Sequence, residues 1–338
     1  MTLGRSDEYK KAGVNIDAAS EWVLRIKELA ARSHSDAVLS GIGGFSGLYS
    51  MKEFGSENLV LAAGSDGVGT KVIVAQMMGK NDTVGIDLVA MNVDDVVTSG
   101  AKPLFFLDYI SGASLSPKVV EDIVSGVVEG CVRAGCALLG GETAQMPDLY
   151  SPGEYDLAGF CVGAVMRSEI IDGKSIRKGD VLLGLGSTGL HSNGYTLARR
   201  VFLETAGWQI DRYVEEFGRT LGEELLEPTR IYAPFILKLK EAVPLKGIVH
   251  VTGGGLIENV PRIMPEGLKM RLSKDWEIPR VFELLQELGG IPSDEMYRVF
   301  NMGVGMVVVV QETDADRVIS MSKESQIPCF VVGDIDER

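Results

Sequence analysis

The chain has 338 residues, which is enough for two domains that each bury a core of their own. Its net charge of −14 argues against a nucleic-acid or anionic membrane surface, because both bind through basic patches and the sequence has none. Four cysteines without CxxC spacing predict reduced thiols in a cytoplasmic protein. The polar N-terminus and the lack of a long apolar run predict neither a signal peptide nor a membrane span.

Helices and strands alternate along the first half. The predicted helices begin after Asp17, at Thr83 and after Ser116, which is a capping residue followed by Pro117. The predicted strands are 59–64, 103–111, 136–139 and 155–166. A polar, turn-rich segment at 167–179 then predicts a boundary between a domain of residues 1–168 and a domain of residues 169–338.

The second half repeats the alternation. Its predicted helices are 193–205, 229–242, 256–264, 279–288 and 314–325, and its predicted strands are 181–185, 248–251, 304–310 and 330–332. Mixed helix and strand order in both halves is typical of α/β or α+β layers, so we expect an α/β (α+β) fold of two domains.

An acidic set rich in glycine lies between Asp66 and Glu142. It comprises DGVGTK at 66–71, then Asp87, Asp94 and Asp95, and finally GGET at 140–143. Carboxylates beside a flexible backbone provide oxygen ligands for a hard cation, and Mg²⁺ normally completes its octahedron with phosphate oxygens. The sequence therefore predicts chemistry on a magnesium nucleotide.

The helix predicted at 83–99 places Asp87, Asp94 and Asp95 in one sector, because residues three, four and seven apart share a face. A solvated acidic face is the alternative interpretation. The rest of this helix is almost wholly apolar, however, and an unpaired charge on a buried element is costly. Since a bound cation would remove that cost, we prefer the metal interpretation.

Two glycine segments in the first half resemble backbone cradles for phosphate. GIGGF at 41–45 fits neither the P-loop pattern nor the dinucleotide-binding pattern, and a plain loop is its alternative. In DGVGTK, Lys71 follows the glycines as a phosphate-facing lysine would, although it could equally be a surface residue. These segments favour nucleotide binding without either standard nucleotide fold.

Two further motifs lie in the second half. GLHSNGY at 189–195 opens a predicted helix with His191, Ser192 and Asn193, where simple capping is the alternative to anion binding. A histidine at this position can donate to a phosphate or move a proton. TGGG at 252–255 offers a second amide-rich turn ahead of a helix.

Ten segments in chain order carry a resemblance to one family. They are YKKAGVNI (9–16), GIGGF (41–45), SDGVGTK (65–71), GIDLVAM (85–91), PLFFLDYISG (103–112), AGCALLGGETAQMP (134–147), YDLAGFCVG (155–163), HSNGY (191–195), TGGG (252–255) and MYRVFNMGVGM (296–306). Together they closely resemble phosphoribosylformylglycinamidine cyclo-ligase, also called aminoimidazole ribonucleotide synthetase.

The resemblance implies the fifth step of de novo purine synthesis. In that reaction ATP drives ring closure of formylglycinamidine ribonucleotide to aminoimidazole ribonucleotide through an iminophosphate, releasing ADP and phosphate. It also implies the two-domain fold of this family, with N-terminal sheets joined into a barrel across a homodimer and an α+β C-terminal domain beside each. ATP and Mg²⁺ are the expected cofactors, and a requirement for K⁺ is left open.

Carried onto this sequence, the resemblance implies four sets of site residues. The implied metal ligands are Asp66, Asp95 and Glu142, with Asp87 as a further candidate. The implied nucleotide contacts are Lys27, Gly43, Gly44, Asp66, Gly67, Gly69, Thr70, Lys71 and Gly141. The implied substrate contacts are His191, Ser192, Asn193, Gly253 and Gly254, and the implied catalytic residues are Asp95, His191 and Lys71.

Two positions depart from the family pattern. Asp94 stands where the family commonly has asparagine, which adds a negative charge beside the implied metal, and Gln145 stands where it commonly has glutamate. Related ATP-dependent enzymes fit less well: a selenophosphate synthetase would carry an N-terminal cysteine, whereas the first cysteine here is Cys131. A hydrogenase maturation protein of this type would end in cysteine, and thiamine-monophosphate kinase lacks FFLDY and HSNGY. A regulatory relative that binds nucleotide without turnover is the remaining alternative.

Overall fold

The computed structural model describes residues 8–12, 26, 27, 29–40 and 42–338. The helix predicted after Asp17 therefore lies mostly outside the described residues. The strands of the first half are β1 Val38–Ser40, β2 Gly47–Ser50, β3 Leu59–Gly67, β4 Lys102–Gly112, β5 Ala137–Gln145 and β6 Tyr155–Met166. Its helices are α1 Glu8–Lys11, α2 Lys71–Met78, α3 Val84–Val97 and α4 Pro117–Ala134.

The six strands form one sheet in the order β1-β2-β3-β6-β4-β5. All neighbours are antiparallel except β4 and β5, which run parallel and are joined by α4 as a crossover helix. The predicted start of α4 is confirmed, since the Ser116 hydroxyl accepts the Val119 N–H at 3.3 Å and Pro117 is the first helical residue. Strand β5 extends well beyond the predicted 136–139. The prediction ended too early because the second half of the strand is polar and glycine-rich.

Helix α3 lies directly on one face of this sheet, and α4 packs against α3. The sheet contact is close at Gly159, where a Cβ would meet Phe106 at 2.4 Å and the Asn92 amide at 2.7 Å. The helix contact is close at Gly126, where a Cβ would lie 2.4 Å from the Asp82 carbonyl oxygen. Glycine at both positions lets α3 approach the two layers that hold it, so its carboxylates are fixed in place.

The other face of the sheet carries apolar side chains that no part of the described chain covers. Leu107 and Phe160 are opposite each other in the β4–β6 ladder, and 36% and 44% of their surfaces are exposed. Tyr49 and Met166 are exposed to similar extents. We call these four residues the open face.

The second half contains seven strands and seven helices among the described residues. The strands are β7 Val181–Gly186, β8 Tyr213–Val214, β9 Arg219–Thr220, β10 Gly247–His250, β11 Leu268–Leu272, β12 Val304–Val310 and β13 Cys329–Glu337. The helices are α5 Tyr195–Arg199, α6 Leu221–Leu225, α7 Ala233–Ala242, α8 Gly255–Asn259, α9 Arg280–Gly289, α10 Ser293–Val299 and α11 Ala315–Glu324.

Five of these strands form an antiparallel sheet in the order β10-β12-β7-β13-β11, and β8 pairs only with β9. Strand β12 is buried at every residue, as its continuous apolar sequence predicts. The predicted α/β (α+β) class is confirmed, while the boundary after residue 168 stays a prediction. None of the helices that the structure describes is long and apolar enough to cross a membrane.

Two helices of the second half start later than predicted. The helix predicted at 229–242 begins at Ala233, because the N–H of Thr229 bonds the Asp87 carboxylate instead of joining a helix. The helix predicted at 193–205 begins at Tyr195 and widens into a π-helix over Arg200–Thr205. In both cases contacts with the first half of the chain lie next to the irregular segment.

Candidate active site

Helix α3 connects the two halves of the chain through its carboxylates. Asp87 is fully buried; it pairs with the Lys71 amine at 2.8 Å and accepts the N–H and hydroxyl of Thr229 at 2.7 and 2.6 Å. Lys71 is equally buried and also donates to the Glu227 carbonyl at 2.7 Å. Burial raises the pKa of Asp87 and lowers that of Lys71, and their contact opposes both shifts.

Asp94 binds the start of helix α7 from outside that helix. Its carboxylate accepts the N–H groups of Tyr232 and Ala233, each at 2.9 Å, and no surface of Asp94 is exposed. The first amides of a helix lack partners within the helix, so a distant carboxylate can cap them. Burial nevertheless raises the pKa of Asp94 to about 7.

Asp95, at the next position, faces a different group. One of its oxygens lies 2.8 Å from Nδ1 of His250, and this histidine is only 1% exposed. Burial alone would lower the pKa of His250, but the hydrogen bond and charge of Asp95, together with Asp94 and Asp66, raise it. The Nε2 atom of His250 is buried and has no partner in the described chain.

Asp66 completes this acidic corner at the end of β3. Its backbone is held by Asn92 of α3, whose side chain accepts the Asp66 N–H at 2.9 Å. Burial and the nearby charge of Asp95 raise the pKa of Asp66 to about 6. Two carboxylates that repel each other at a partly accessible edge are a fitting place for a cation.

His191 is held as a neutral imidazole of one tautomer. Its Nε2 accepts the Thr188 N–H at 3.1 Å, so the ring proton must lie on Nδ1, which is buried and has no partner in the described chain. Burial and the charges of His250, Lys71 and Arg230 lower its pKa. Its φ of 60° is in the left-handed region, which costs energy for a histidine. This geometry leaves one buried N–H donor without a partner in the described chain.

Arg230 adds a positive charge beside His191 and Tyr232. Its Nε is buried without a hydrogen-bond partner, and no carboxylate of the described residues pairs with it. A half-buried arginine without a counter-ion favours an anionic ligand. Neither Arg230 nor His250 was predicted from the sequence, although His250 lies only two residues before TGGG at 252–255.

The other residues expected to contact substrate lie nearby. The Ser192 hydroxyl is 3.2 Å from that of Thr229, and the Asn193 side chain lies 3.4 Å from where Gly253 would carry a Cβ. Gly254 has a φ of 99° and precedes α8. On the first half, Thr70 contacts Thr196 at 3.0 Å. The motifs at 66–71, 191–195 and 252–255 therefore meet at one junction, as expected for a shared site.

Glu142 lies apart from this junction. In the sheet ladders Asp66 is opposite Gly159, Gly159 opposite Asp108, and Asp108 opposite Gly141. Three strand spacings separate Asp66 from Gly141, a distance of roughly 14 Å. Glu142 follows directly and is exposed, so it does not share one ion with Asp66 in this structure.

Gly43 and Gly44 line a separate groove on the first sheet. Its volume is about 730 Å³, and His34, Phe45 and Phe160 are among its walls. Gly43 has a φ of 120°, and Lys27 is exposed. Whether these residues contact nucleotide stays a prediction.

Three expectations about the acidic set and its lysine need correction. Among the described residues, no three His, Cys, Asp or Glu side chains converge as a ready-made metal site. Protein donors bond Asp94 and the Oδ1 atom of Asp87, whereas Oδ2 of Asp87 has no partner in the described chain. Burial of these two carboxylates is therefore largely offset within the protein and is not by itself an argument for a cation. Lys71 is neither a surface residue nor open to a ligand here, because its amine is occupied by Asp87 and Glu227.

Comparison with known proteins identifies the class. Residues 47–165 match the family described as AIR synthase related protein, N-terminal domain, and residues 177–338 match its C-terminal domain. Thiamine-monophosphate kinase from Stenotrophomonas maltophilia K279a has the same fold, with a TM-score of 0.63 at 19% identity over 93% of each chain. A structure titled AaThiL complexed with AMPPCP and TMP gives 0.62 at 16% identity over 93% of this chain and 90% of that one. Fold and site thus define an AIR synthase related protein.

The nearer relatives narrow this further. Phosphoribosylformylglycinamidine cyclo-ligase from Carboxydothermus hydrogenoformans is 50% identical over 327 residues, which are 97% of this chain and 95% of that protein. The chain belongs to the phosphoribosylformylglycinamidine cyclo-ligase family and is an enzyme of the ligase class, as the resemblance of its motifs implies.

Proposed function

We propose that the chain closes the imidazole ring of aminoimidazole ribonucleotide from formylglycinamidine ribonucleotide, using ATP. The observation that carries this proposal is the neutral His191 with its unpartnered Nδ1–H, near Arg230 and near His250, which bonds Asp95 of the acidic corner. One side of the junction suits an anionic substrate and the other suits a cation with phosphate. The full-length similarity to cyclo-ligases supports the same reaction.

The chemistry needs two steps. The formyl amide oxygen attacks the γ-phosphorus of ATP, ADP leaves, and loss of the amide proton gives an iminophosphate. The amidine nitrogen then attacks the carbon that bears this oxygen, the C–O bond breaks, and phosphate leaves. An amide oxygen is a poor leaving group until it is phosphorylated, which is why ATP is consumed.

The residues at the junction have separate roles in this proposal. His191 donates its Nδ1–H to a substrate oxygen, and Arg230 neutralises a phosphate. His250, held by Asp95 through Nδ1, presents Nε2 for proton exchange during ring closure. Lys71 acts at one remove, by fixing Asp87 and the Glu227–Thr229 segment, rather than by touching phosphate.

Mg²⁺ fits Asp66 and Asp95, because a cation would relieve the repulsion that raises the pKa of Asp66. Its contribution would be to neutralise the phosphates of ATP. Glu142 would belong to a second position along the nucleotide, and K⁺ is a further candidate cation. The nucleotide analogue AMPPCP bound by a protein of the same fold supports nucleotide binding here.

The proposal is tested by steady-state ADP production with Mg·ATP, with and without formylglycinamidine ribonucleotide. The aminoimidazole product is measured in parallel by a colour reaction for its diazotisable amine. We expect equal amounts of ADP and aminoimidazole ribonucleotide, both dependent on the substrate. ATP binding with no product would reject the cyclo-ligase activity and favour a regulatory relative.

We further propose that the open face is covered by a second copy of the chain, forming the barrel that the family resemblance implies. The apolar residues on it lie on regular strands, and a two-fold dimer would bury the same patch of both copies against each other. Phe160→Asp should convert a dimer into a monomer in size-exclusion chromatography with light scattering. Val331→Asp is the matched control, because Val331 is 47% exposed on β13 of the other sheet, compared with 44% for Phe160. A Phe160→Asp protein that remains dimeric would reject this interface.

A further inference from the structure

The end of helix α4 brings two cysteines together. Gly135, with a φ of 71°, donates its N–H to the Val132 carbonyl at 3.2 Å, and Cys136 donates its N–H to the Cys131 carbonyl at 3.0 Å. These are the two hydrogen bonds of a Schellman motif, in which the side chains of the first and last residues commonly contact each other. Here both of those residues are cysteines, and both are free thiols.

The two thiols differ in their access to solvent. Cys131 is 2% exposed on the inner side of α4, whereas Cys136 is only partly buried at the start of the segment leading into β5. A small oxidant can therefore reach Cys136 first, and the sulfur next to it is that of Cys131. Cys161 is also close but fully buried on β6.

We propose that Cys131 and Cys136 form a dithiol site that hydrogen peroxide oxidises to an intramolecular disulfide. The Cys136 thiolate attacks the peroxide oxygen, the O–O bond breaks, and Cys136 becomes a sulfenic acid as hydroxide leaves. The Cys131 sulfur then attacks the Cys136 sulfur, the S–O bond breaks, and water leaves with the Cys131 proton. Two thiols and one peroxide thus give one disulfide and two waters.

The electrostatics of the pair assign the same roles. Hydrogen bonding with Cys131 lowers the pKa of Cys136, while the same contact and burial raise the pKa of Cys131. A thiol of lowered pKa beside a resolving thiol is the usual arrangement at redox-sensitive sites. Burial raises the pKa of Cys329 to about 11, so Cys329 should react slowly and serves as the reference thiol for Cys136.

The disulfide would tie the last turn of α4 to the residue before β5. That strand carries Gly141 and Glu142, and α4 itself packs on α3. Oxidation would therefore restrict the movement of a strand that contains two predicted nucleotide-site residues. The proposal stands on the dithiol alone and is independent of the reaction that the enzyme catalyses.

The test is peptide mapping of the whole protein after treatment with hydrogen peroxide and blocking of free thiols. Trypsin cuts after Lys118, Arg133 and Arg167, so Cys131 lies in peptide 119–133, and Cys136 and Cys161 share peptide 134–167. We expect these two peptides to be joined, with Cys161 alkylated and the link lost on reduction. A link inside peptide 134–167, or a Cys136 that reaches sulfinic acid without any link, would overturn the proposal.

Two variants and one rate sharpen the result. Cys131→Ala should leave Cys136 as a sulfenic acid that dimedone traps, and Cys161→Ala should leave the link intact. In the untreated protein we expect iodoacetamide to label Cys136 about tenfold faster than Cys329. Equal labelling rates, or a link that survives in Cys131→Ala, would contradict the assigned roles.

Discussion

The carboxylates near helix α3 fall into two groups that differ in what satisfies them. Asp87 and Asp94, the buried carboxylates, are bonded by donors of the protein itself: Lys71 and Thr229 for Asp87, and the N–H groups of Tyr232 and Ala233 for Asp94. Asp66 and Asp95, the edge carboxylates, remain partly accessible, and Asp95 bonds His250, whose Nε2 has no partner in the described chain. Asp94 and Asp95 are adjacent on one helix, yet the first stabilises the contact between the two halves and the second faces the candidate active site. Substitutions should therefore affect stability at one residue and activity at the other.

The largest effect is expected at the buried pair. Lys71→Met leaves Asp87 charged or protonated inside the protein without its main partner, which should lower the free energy of unfolding by about 3–5 kcal/mol. Chemical denaturation followed by circular dichroism measures this change. Lys118→Met is the control. It breaks an exposed ion pair with Asp122 that is 2.7 Å long, compared with 2.8 Å for the buried pair, and it should leave stability almost unchanged. Equal losses in both variants would contradict the distinction.

Asp95→Asn should have the opposite profile. It keeps the shape of the side chain but removes the charge that orients His250 and repels Asp66, so turnover should fall about 100-fold while the unfolding transition barely moves. Steady-state ADP release and thermal unfolding are measured on the same sample. Turnover within threefold of the parent would remove Asp95 from the catalytic group.

Asp94→Asn tests the pH dependence of a buried carboxylate. The folded pKa of about 7 exceeds the unfolded value of 3.8, so the folded state binds the proton more tightly and this contribution to stability is lost as pH rises from about 4 to 7. Asparagine cannot ionise. Between pH 5 and pH 8 the unfolding free energy of the parent should therefore fall by about 2 kcal/mol relative to that of Asp94→Asn. A difference that stays constant with pH would show that Asp94 does not titrate in this range.

His191→Asn probes the smallest of these effects. Asparagine tolerates the left-handed backbone at this position, so the loop should keep its shape while the Nδ1–H donor is displaced. We expect KM for the ribonucleotide to rise about tenfold, equivalent to about 1.4 kcal/mol, with ATP binding unchanged. Isothermal titration with a non-hydrolysable ATP analogue provides the second measurement, and weaker binding there would place His191 on the nucleotide instead.

Sequence patterns predicted the α/β (α+β) class and most of the longer helices and strands. The start of α4 follows from Ser116 and Pro117, and the span of β6 follows from a mainly apolar run that ends at Arg167, because such signals are local. The sequence patterns did not predict the short strands β1, β2, β8, β9 and β11 or the helices α1, α2, α6 and α10, because segments this short carry little or no period. Strand β5 was predicted too short because Gly140 and Gly141 lack the apolar pattern of its first half.

The candidate active site was harder to predict than the helices and strands. The motifs around Asp66 and His191 were found because glycines mark them, and the structure brings both to one junction. Arg230 and His250 could not be assigned a role from the sequence. They are candidates because Nε of Arg230 and Nε2 of His250 are buried without a hydrogen-bond partner in the described chain, which only the structure reveals. The partners of Asp87 and Asp94 in the second half lie about 140 residues away in sequence, which no helical spacing can reveal.

The capping of α7 by Asp94 also constrains how the chain acquires its structure. Tyr232 provides no side-chain cap, so the first amides of this helix are satisfied only when α3 is already in place. The N-terminal half leaves the ribosome first and can present that carboxylate as a template for the helix that follows. A gene split between the two sheets would therefore yield a C-terminal fragment with a frayed helix, which adding the N-terminal fragment should repair.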